Sequence, residues 1–181
     1  MKIRRVVAGI GADGKSKLIE DGIAPRSVDF TSVPGFAATM LWSRGVGNDL
    51  PISSDIVDRT SEVGFAPAEG ESRLLICTFP PDSVLTRADV DLAAFGGELA
   101  RLLPGMAETF EPENLGMHTS NSVDYDVVLD GEITLELDDG KEVLLHRHDV
   151  IVQHGNRHAW RNRTDQIATM LFVLLGVKRP R

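Results

Sequence analysis

Hydrophobic and polar residues alternate along the C-terminal half of the chain. Ile133, Leu135 and Leu137 alternate with Thr134 and Glu136, which is the two-residue period of a strand with one buried face. A hairpin turn follows at 138–140, and further short apolar runs come at intervals of roughly ten residues. These runs lie at 143–145, 150–152, 159–162 and 168–175. The succession predicts an antiparallel all-β sandwich or barrel.

The pattern changes upstream of this half. Residues 72–79 form a predicted strand that stops at Pro80, because proline has no N–H for a strand ladder. Between Ala88 and Leu103, apolar residues recur at spacings of three and four, which predicts one short helix. Before residue 70, short apolar pieces among Gly, Pro, Ser and Asp indicate strands joined by loops, with an exposed loop over 45–58. We therefore expect an N-terminal extension at 1–109, with a helix near 88–103, packed on a barrel core at 110–181.

Length and charge limit the classes of function. A chain of 181 residues predicts one domain with an elaborate extension, not two large domains. Its 27 acidic against 19 basic side chains give a net charge of -8, which excludes nucleic acid as a first choice of partner. The longest apolar run, 167–177, is about half the ~20 residues that a membrane-spanning helix needs. A single cysteine, Cys77, in an apolar run fits a buried thiol in a reducing compartment, so we expect a cytoplasmic protein.

Two polar segments carry the candidate chemistry, 116–131 and 148–162. Because side chains alternate on a strand, Asp124 and Asp126 share one face, and His158, Trp160 and Asn162 share another. If these faces point inward, they form a polar cluster inside the barrel, which is costly unless its members are hydrogen-bonded, paired or bound to a cation. Two imidazoles and a carboxylate with open positions suit iron(II), and also manganese, nickel or zinc.

The order and spacing of these residues resemble the two motifs of the cupin superfamily. In the first motif, His118, Ser120, Asp124 and Gly131 stand at the positions of its first histidine, second histidine, glutamate and closing glycine. In the second motif, Gly155, His158 and Asn162 match the glycine, histidine and asparagine, while Gln153 stands at the usual proline. The resemblance covers about residues 110–177.

This resemblance implies a small jelly-roll barrel with a metal held by His118, Asp124 and His158. Ser120 in place of the second histidine reduces the usual four ligands to three. The alternative is a metal-free cavity in which the same three side chains form a hydrogen-bonded network. Asp126 is a candidate general base or a solvent-facing residue at a bulge, and Asn162 is a second candidate for a catalytic role. Trp160 is a candidate pocket wall, with a simple core role as the alternative.

The function implied is a metal-dependent enzyme that acts on a small organic molecule, aromatic or anionic. Oxygenase, decarboxylase, isomerase and hydrolase chemistry all stay open. The arginines near the second motif, Arg157, Arg161 and Arg163, could hold an anion at the barrel mouth. Two alternatives are a non-catalytic small-molecule-binding module and a metal-independent isomerase with His118 or His158 as base. Members of the superfamily often form homodimers, and 6–7 and 40–42 are apolar pieces that could make such a contact.

Overall fold

The chain is dominated by antiparallel β-strands that pair over long sequence separations. The structure, a computed structural model, describes residues 1–47, 50 and 56–180, so that residues 48, 49 and 51–55 of the predicted loop lie outside the described part. Its strands, within those ranges, are β1 Arg4–Ile10, β2 Ser16–Ile23, β3 Arg26–Asp29, β4 Ala37–Arg44, β5 Ser72–Phe79, β6 Ser122–Asp130, β7 Ile133–Glu136, β8 Glu142–Leu145, β9 Val150–His154, β10 Ala159–Arg161 and β11 Ala168–Gly176.

Two sheets enclose the core. The larger sheet has the strand order β3-β4-β5-β11-β6-β9, and the smaller has the order β10-β7-β8. Their inward positions supply large, fully buried side chains such as Met40, Val128, Ile133 and Met170. The predicted all-β, jelly-roll class is confirmed. Strands β3 to β5, which lie before residue 80, extend the larger sheet beside β11, while the proposed division between 1–109 and 110–181 stays a prediction.

Gly131 forms the turn between β6 and β7. It has a φ of 73°, in the left-handed region that glycine adopts most readily. A Cβ at this position would lie 2.9 Å from the carbonyl oxygen of Ile167. Both the backbone conformation and the close approach therefore require glycine at the end of the first motif.

Two helices lie between β5 and β6, α1 at Asp82–Leu85 and α2 at Leu92–Leu102. The single turn of α1 follows the two prolines and was not predicted. Helix α2 falls inside the predicted range, and its N-cap Asp91 accepts hydrogen bonds from the N–H groups of Ala93 and Ala94. Glu98 on α2 accepts hydrogen bonds from the backbone N–H groups of Thr31 and Ser32, at 3.0 and 2.9 Å. The helix is thereby fastened to the β3–β4 connection.

The hairpin of β1 and β2 is fixed to β4 by a buried arginine. Arg5 donates to the carbonyl oxygen of Leu41 at 3.1 Å and pairs with Asp58 at 2.7 Å. Of the apolar pieces proposed for a subunit contact, Met40 is fully buried inside the chain, whereas Val6 is 53% exposed. Across the part of the chain that the structure describes, no helix has the length and apolar character needed to cross a bilayer.

Candidate functional site

His118 and His158 face each other across an isolated antiparallel bridge. The N–H of each residue donates to the carbonyl oxygen of the other, at 2.9 and 3.0 Å, and the imidazole centroids are 4.1 Å apart. The bridge brings the two motifs together, although they are separated by the whole of β6 to β9. Their histidines are therefore positioned by backbone hydrogen bonds.

The same tautomer is set in both imidazoles. Each Nδ1 lies 3.0 Å from a backbone carbonyl oxygen, that of Gly116 for His118 and that of Asn156 for His158. Because a carbonyl oxygen only accepts, each Nδ1 carries the proton, and the Nε2 of a neutral ring keeps its lone pair. Burial lowers the pKa of His118, and burial together with the neighbouring His118 lowers the pKa of His158 to about 4. Both rings are therefore neutral at pH 7.

Strand β6 places two carboxyl groups on its inward face. Asp124 and Asp126 are 4% and 0% exposed, whereas Tyr125 between them is 45% exposed. Ser120 Oγ lies 3.5 Å from Asp124 Oδ2, and the Oδ1 atoms of both aspartates lack a hydrogen-bond partner among the described residues. Burial raises the pKa of Asp124. Burial also raises the pKa of Asp126 to about 8. The hydrogen bond from Gln153 lowers this pKa, and the charge of Asp124 raises it further.

Gln153 links the carboxyl groups to the histidine pair. Its Nε2 donates to Asp126 Oδ2 at 2.9 Å and lies 3.1 Å from His158 Nε2, while its Oε1 accepts from Asn156 at 3.1 Å. The sequence identifies Gln153 only as a departure from the second motif. The available signal was its phase on β9, since Ile151 and Gln153 are buried while Val150 and Val152 are exposed. A polar residue in phase with a buried one indicates an inward-facing group that needs partners.

These polar groups lie on the wall of a cavity of about 670 Å³. That volume is within the usual range for small-molecule sites. Trp160 lines it, with its ring centroid 5.7 Å from that of His158 and 5.9 Å from that of Phe172. Ser120, Asp124 and Gln153 line it beside the histidines, and most of the remaining wall is aliphatic and aromatic. The other polar and charged side chains that line it are Asp82, Glu108, Glu111, Glu113, Arg161 and Asn162.

Asp126 and Asn162, the two other residues predicted for catalysis, have different surroundings. Asp126 does not line the cavity and reaches it only through Gln153. Asn162 lines it, but its Nδ2 donates to the carbonyl oxygens of Phe79 and Gln166, at 2.8 and 2.7 Å. Its Oδ1 accepts from both the N–H and the hydroxyl of Thr164. The amide of Asn162 is thus fully used in holding the turn before β11 against the end of β5.

Each of the three arginines near the second motif has a carboxylate partner. Arg157 donates to Glu111 at 2.6 and 2.7 Å and to Asp138 at 2.8 Å. Arg161 pairs with Glu136, and Arg163 pairs with Glu142. The guanidinium groups that were expected to hold an anionic ligand are therefore paired with carboxylates of the chain itself.

The side-chain types at the site, two imidazoles and a carboxyl group, are ones that bind divalent transition metals. His118 and His158 each present an Nε2 lone pair, and each Nδ1–H is oriented by a carbonyl oxygen, as is usual for histidine ligands. Asp124 has one carboxylate oxygen free of protein hydrogen bonds. Within the described ranges, no group of three or more His, Cys, Asp or Glu side chains is placed so that it could hold a metal ion. The Gln153 N–H that faces His158 Nε2 must move before that nitrogen can coordinate.

Comparisons with known proteins add relatives of the chain. No family model matches it. Phomopsin biosynthesis cluster protein C' of Diaporthe leptostromiformis is 52% identical over 131 residues, which cover 72% of this chain and 55% of that protein. The cupin-domain-containing oxidoreductase virC of Hypocrea virens is 33% identical over 85 residues, 45% of this chain and 42% of that protein. The chain thus spans about half the length of these relatives. Among solved structures, a Cupin 2 conserved barrel domain protein from Salinispora arenicola has a TM-score of 0.38 and 16% identity over 77% of this chain and 75% of that one.

Proposed function

This chain belongs to the cupin superfamily, and on that premise we propose that it is an enzyme of small-molecule biosynthesis. Its substrate would bind in the cavity beside His118 and His158, and a divalent transition metal would be held by these two residues and Asp124. The observation that carries the proposal is that the neutral imidazoles of His118 and His158 lie on the wall of a mainly apolar cavity together with Asp124. One carboxyl oxygen of Asp124 has no hydrogen-bond partner among the described residues. A relative named as a biosynthesis cluster protein supports the biosynthetic role, and a relative named as an oxidoreductase supports oxidoreductase chemistry.

The metal, when bound, would supply Lewis-acid or redox chemistry at open coordination positions. The carbonyl oxygens of Gly116 and Asn156 hold the two imidazoles in one tautomer and orientation. A bound cation would pair with the Asp124 carboxylate and remove the cost of leaving it buried and unpaired. The contact between Gln153 and His158 would break, while Gln153 keeps its hydrogen bond to Asp126. Asp126 would thus act as a positioning residue that holds the Gln153 side chain.

Aromatic side chains around the site would exclude water and orient the substrate. Trp160 and Phe110 flank the histidine pair, with ring centroids 5.7 Å from His158 and 4.6 Å from His118. Tryptophan and phenylalanine offer large apolar faces on which a planar substrate group can stack. We therefore assign Trp160 to substrate orientation and Asn162 to the fold.

A second candidate is a metal-independent isomerase. The contact between Gln153 and His158 favours it, because the side chains as they stand form a hydrogen-bonded network without an ion. In that case a histidine would move the proton, and turnover would be unaffected by a chelator.

Elemental analysis of the purified protein tests the metal. We expect about one divalent transition metal per chain in the parent, and a large loss in His118→Ala. His154→Ala is the matched control, because His154 is exposed on β9 and does not line the cavity. Metal at far below one equivalent in the parent, after incubation with iron(II), manganese, nickel and zinc in turn, would overturn this part of the proposal.

A further inference from the structure

One continuous row of rings runs along the wall of the cavity from the histidine pair to α2. From the histidine pair, the row passes through Trp160 and Phe172, whose centroids are 5.9 Å apart, and then to Phe79, 6.2 Å from Phe172. It continues to Phe36, 5.7 Å from Phe79, and ends at Phe95 of α2, 5.8 Å from Phe36. Each of these rings lines the cavity. Four rings, those of Trp160, Phe172, Phe79 and Phe36, thus stand between the imidazoles and Phe95 in this row.

The α2 end of the cavity has no polar side chain on the helix face that lines it. This face consists of Leu92, Phe95, Gly96, Leu99, Ala100 and Leu103. Their spacing of three and four residues is that of one side of a helix. Leu99 and Leu103 of this face are buried, whereas Leu92, Gly96 and Ala100 are exposed. A polar group of a ligand placed against the buried part of the face would meet no side-chain hydrogen-bond partner on it.

We propose that the ligand of this cavity is an elongated amphipathic molecule, with one hydroxyl head that donates to the histidine pair and an alkyl or alkyl-aryl body directed toward α2. The inference rests on the proposed function, since it assigns a substrate class to the same site. It distinguishes the substrate from sugars, amino acids and dicarboxylic acids, which carry polar groups along their whole length.

Calorimetric titration with simple alcohols tests the length and polarity of the body. We expect affinity to rise from 1-hexanol through 1-octanol to 1-decanol by about three- to four-fold for each methylene. Decane-1,10-diol is the matched probe with a second polar end, and we expect it to bind at least about ten-fold more weakly than 1-decanol. Equal affinity for 1-hexanol and 1-decanol, or equal affinity for 1-decanol and the diol, would overturn the proposal.

Two neighbouring glycines of α2 supply a matched pair of variants. Gly96 lines the cavity and Gly97 does not, while a Cβ at either position meets no atom within 4 Å. We expect Gly96→Leu to reduce the affinity ratio of 1-decanol over 1-hexanol at least about ten-fold, and Gly97→Leu to preserve it. Both variants replace glycine within a helix by a better helix former, so neither should lose stability. An equal effect of the two substitutions would contradict a ligand body that lies against this face.

The alcohol titrations and the metal analysis fail independently. If elemental analysis finds no stoichiometric metal but affinity still rises with alcohol length, the proposed cofactor is overturned and the assigned substrate class stands. If the protein holds stoichiometric metal but its affinity for alcohols does not change with their length, the cofactor stands and the assigned substrate class is overturned.

Discussion

Glu98 is the residue whose replacement should most directly loosen α2 from the barrel. Its carboxylate accepts hydrogen bonds from the N–H groups of Thr31 and Ser32, and its side chain is 9% exposed. Although burial opposes the shift, the hydrogen bonds from Ser32 and Thr31 lower the pKa of Glu98 to about 2 from an ordinary value of 4.5. We expect Glu98→Gln to lower the free energy of unfolding at pH 7.

The size of this effect follows from the pKa difference. A shift from 4.5 to about 2 corresponds to roughly 3 kcal/mol in favour of the ionised folded state. Because the carboxylate lies near the surface and solvent screens part of the interaction, we expect about 1–2 kcal/mol. The pKa is depressed in the folded state, so this stability is present above pH 4.5 and is lost as the pH falls toward 2.

Urea unfolding followed by circular dichroism at pH 7, 5, 4 and 3 measures the difference between the parent and Glu98→Gln. The difference should be constant from pH 7 to 5 and should shrink at pH 4 and 3. Glu62→Gln is the control, because the Glu62 side chain is 70% exposed and pairs with Arg59 only at 3.7 Å. Equal stability of Glu98→Gln and the parent at pH 7, or a difference that persists unchanged at pH 3, would refute this reasoning.

Three further predictions concern the turn before β11, the thiol and the outer face of the larger sheet. Asn162→Ala should cost about 2–4 kcal/mol in urea unfolding, because it leaves the carbonyl oxygens of Phe79 and Gln166 without their donor; a loss below about 0.5 kcal/mol would contradict the role. Burial, with the charge of Asp126 adding to it, raises the pKa of Cys77 to about 12, so a disulfide reagent at pH 8 should label the native protein far more slowly than the protein in urea, and equal rates would refute this. We also propose a homodimer through the outer face of β6 and β9, where Val150 and Val152 are 63% and 54% exposed. Sedimentation velocity should show that Val152→Glu yields monomers while Val143→Glu, on the smaller sheet, does not, and a monomeric parent would refute the proposal.

Local periodicity was sufficient to predict the class of fold. The alternation at 133–137 predicts a strand that the structure places at Ile133–Glu136, and the helical spacing at 88–103 contains α2. Alternation also predicts that Asp124 and Asp126 share a face, and both are buried on β6. These features depend on neighbours within a few residues, which a sequence displays directly.

Contacts between distant strands were not predictable in the same way. The pairing of β5 with β11 joins residues that are from 89 (Phe79 and Ala168) to 103 (Ser72 and Leu175) positions apart, and no local pattern specifies that neighbour. The partners of Gln153, and the glutamates that neutralise Arg157 and Arg161, likewise come from other strands and loops. Side-chain identity gave the chemistry of these groups, but their hydrogen bonds depend on the three-dimensional register.

The backbone bridge between His118 and His158 makes the chemistry of the site exchangeable. Since the N–H and carbonyl groups hold these two positions together, their spacing does not depend on either imidazole. A cysteine or a carboxylate introduced at one position would start from the same Cα placement opposite the other histidine. Mutation can therefore sample different donor pairs on an unchanged scaffold, which offers one physical route by which a barrel of this kind could acquire new reactions.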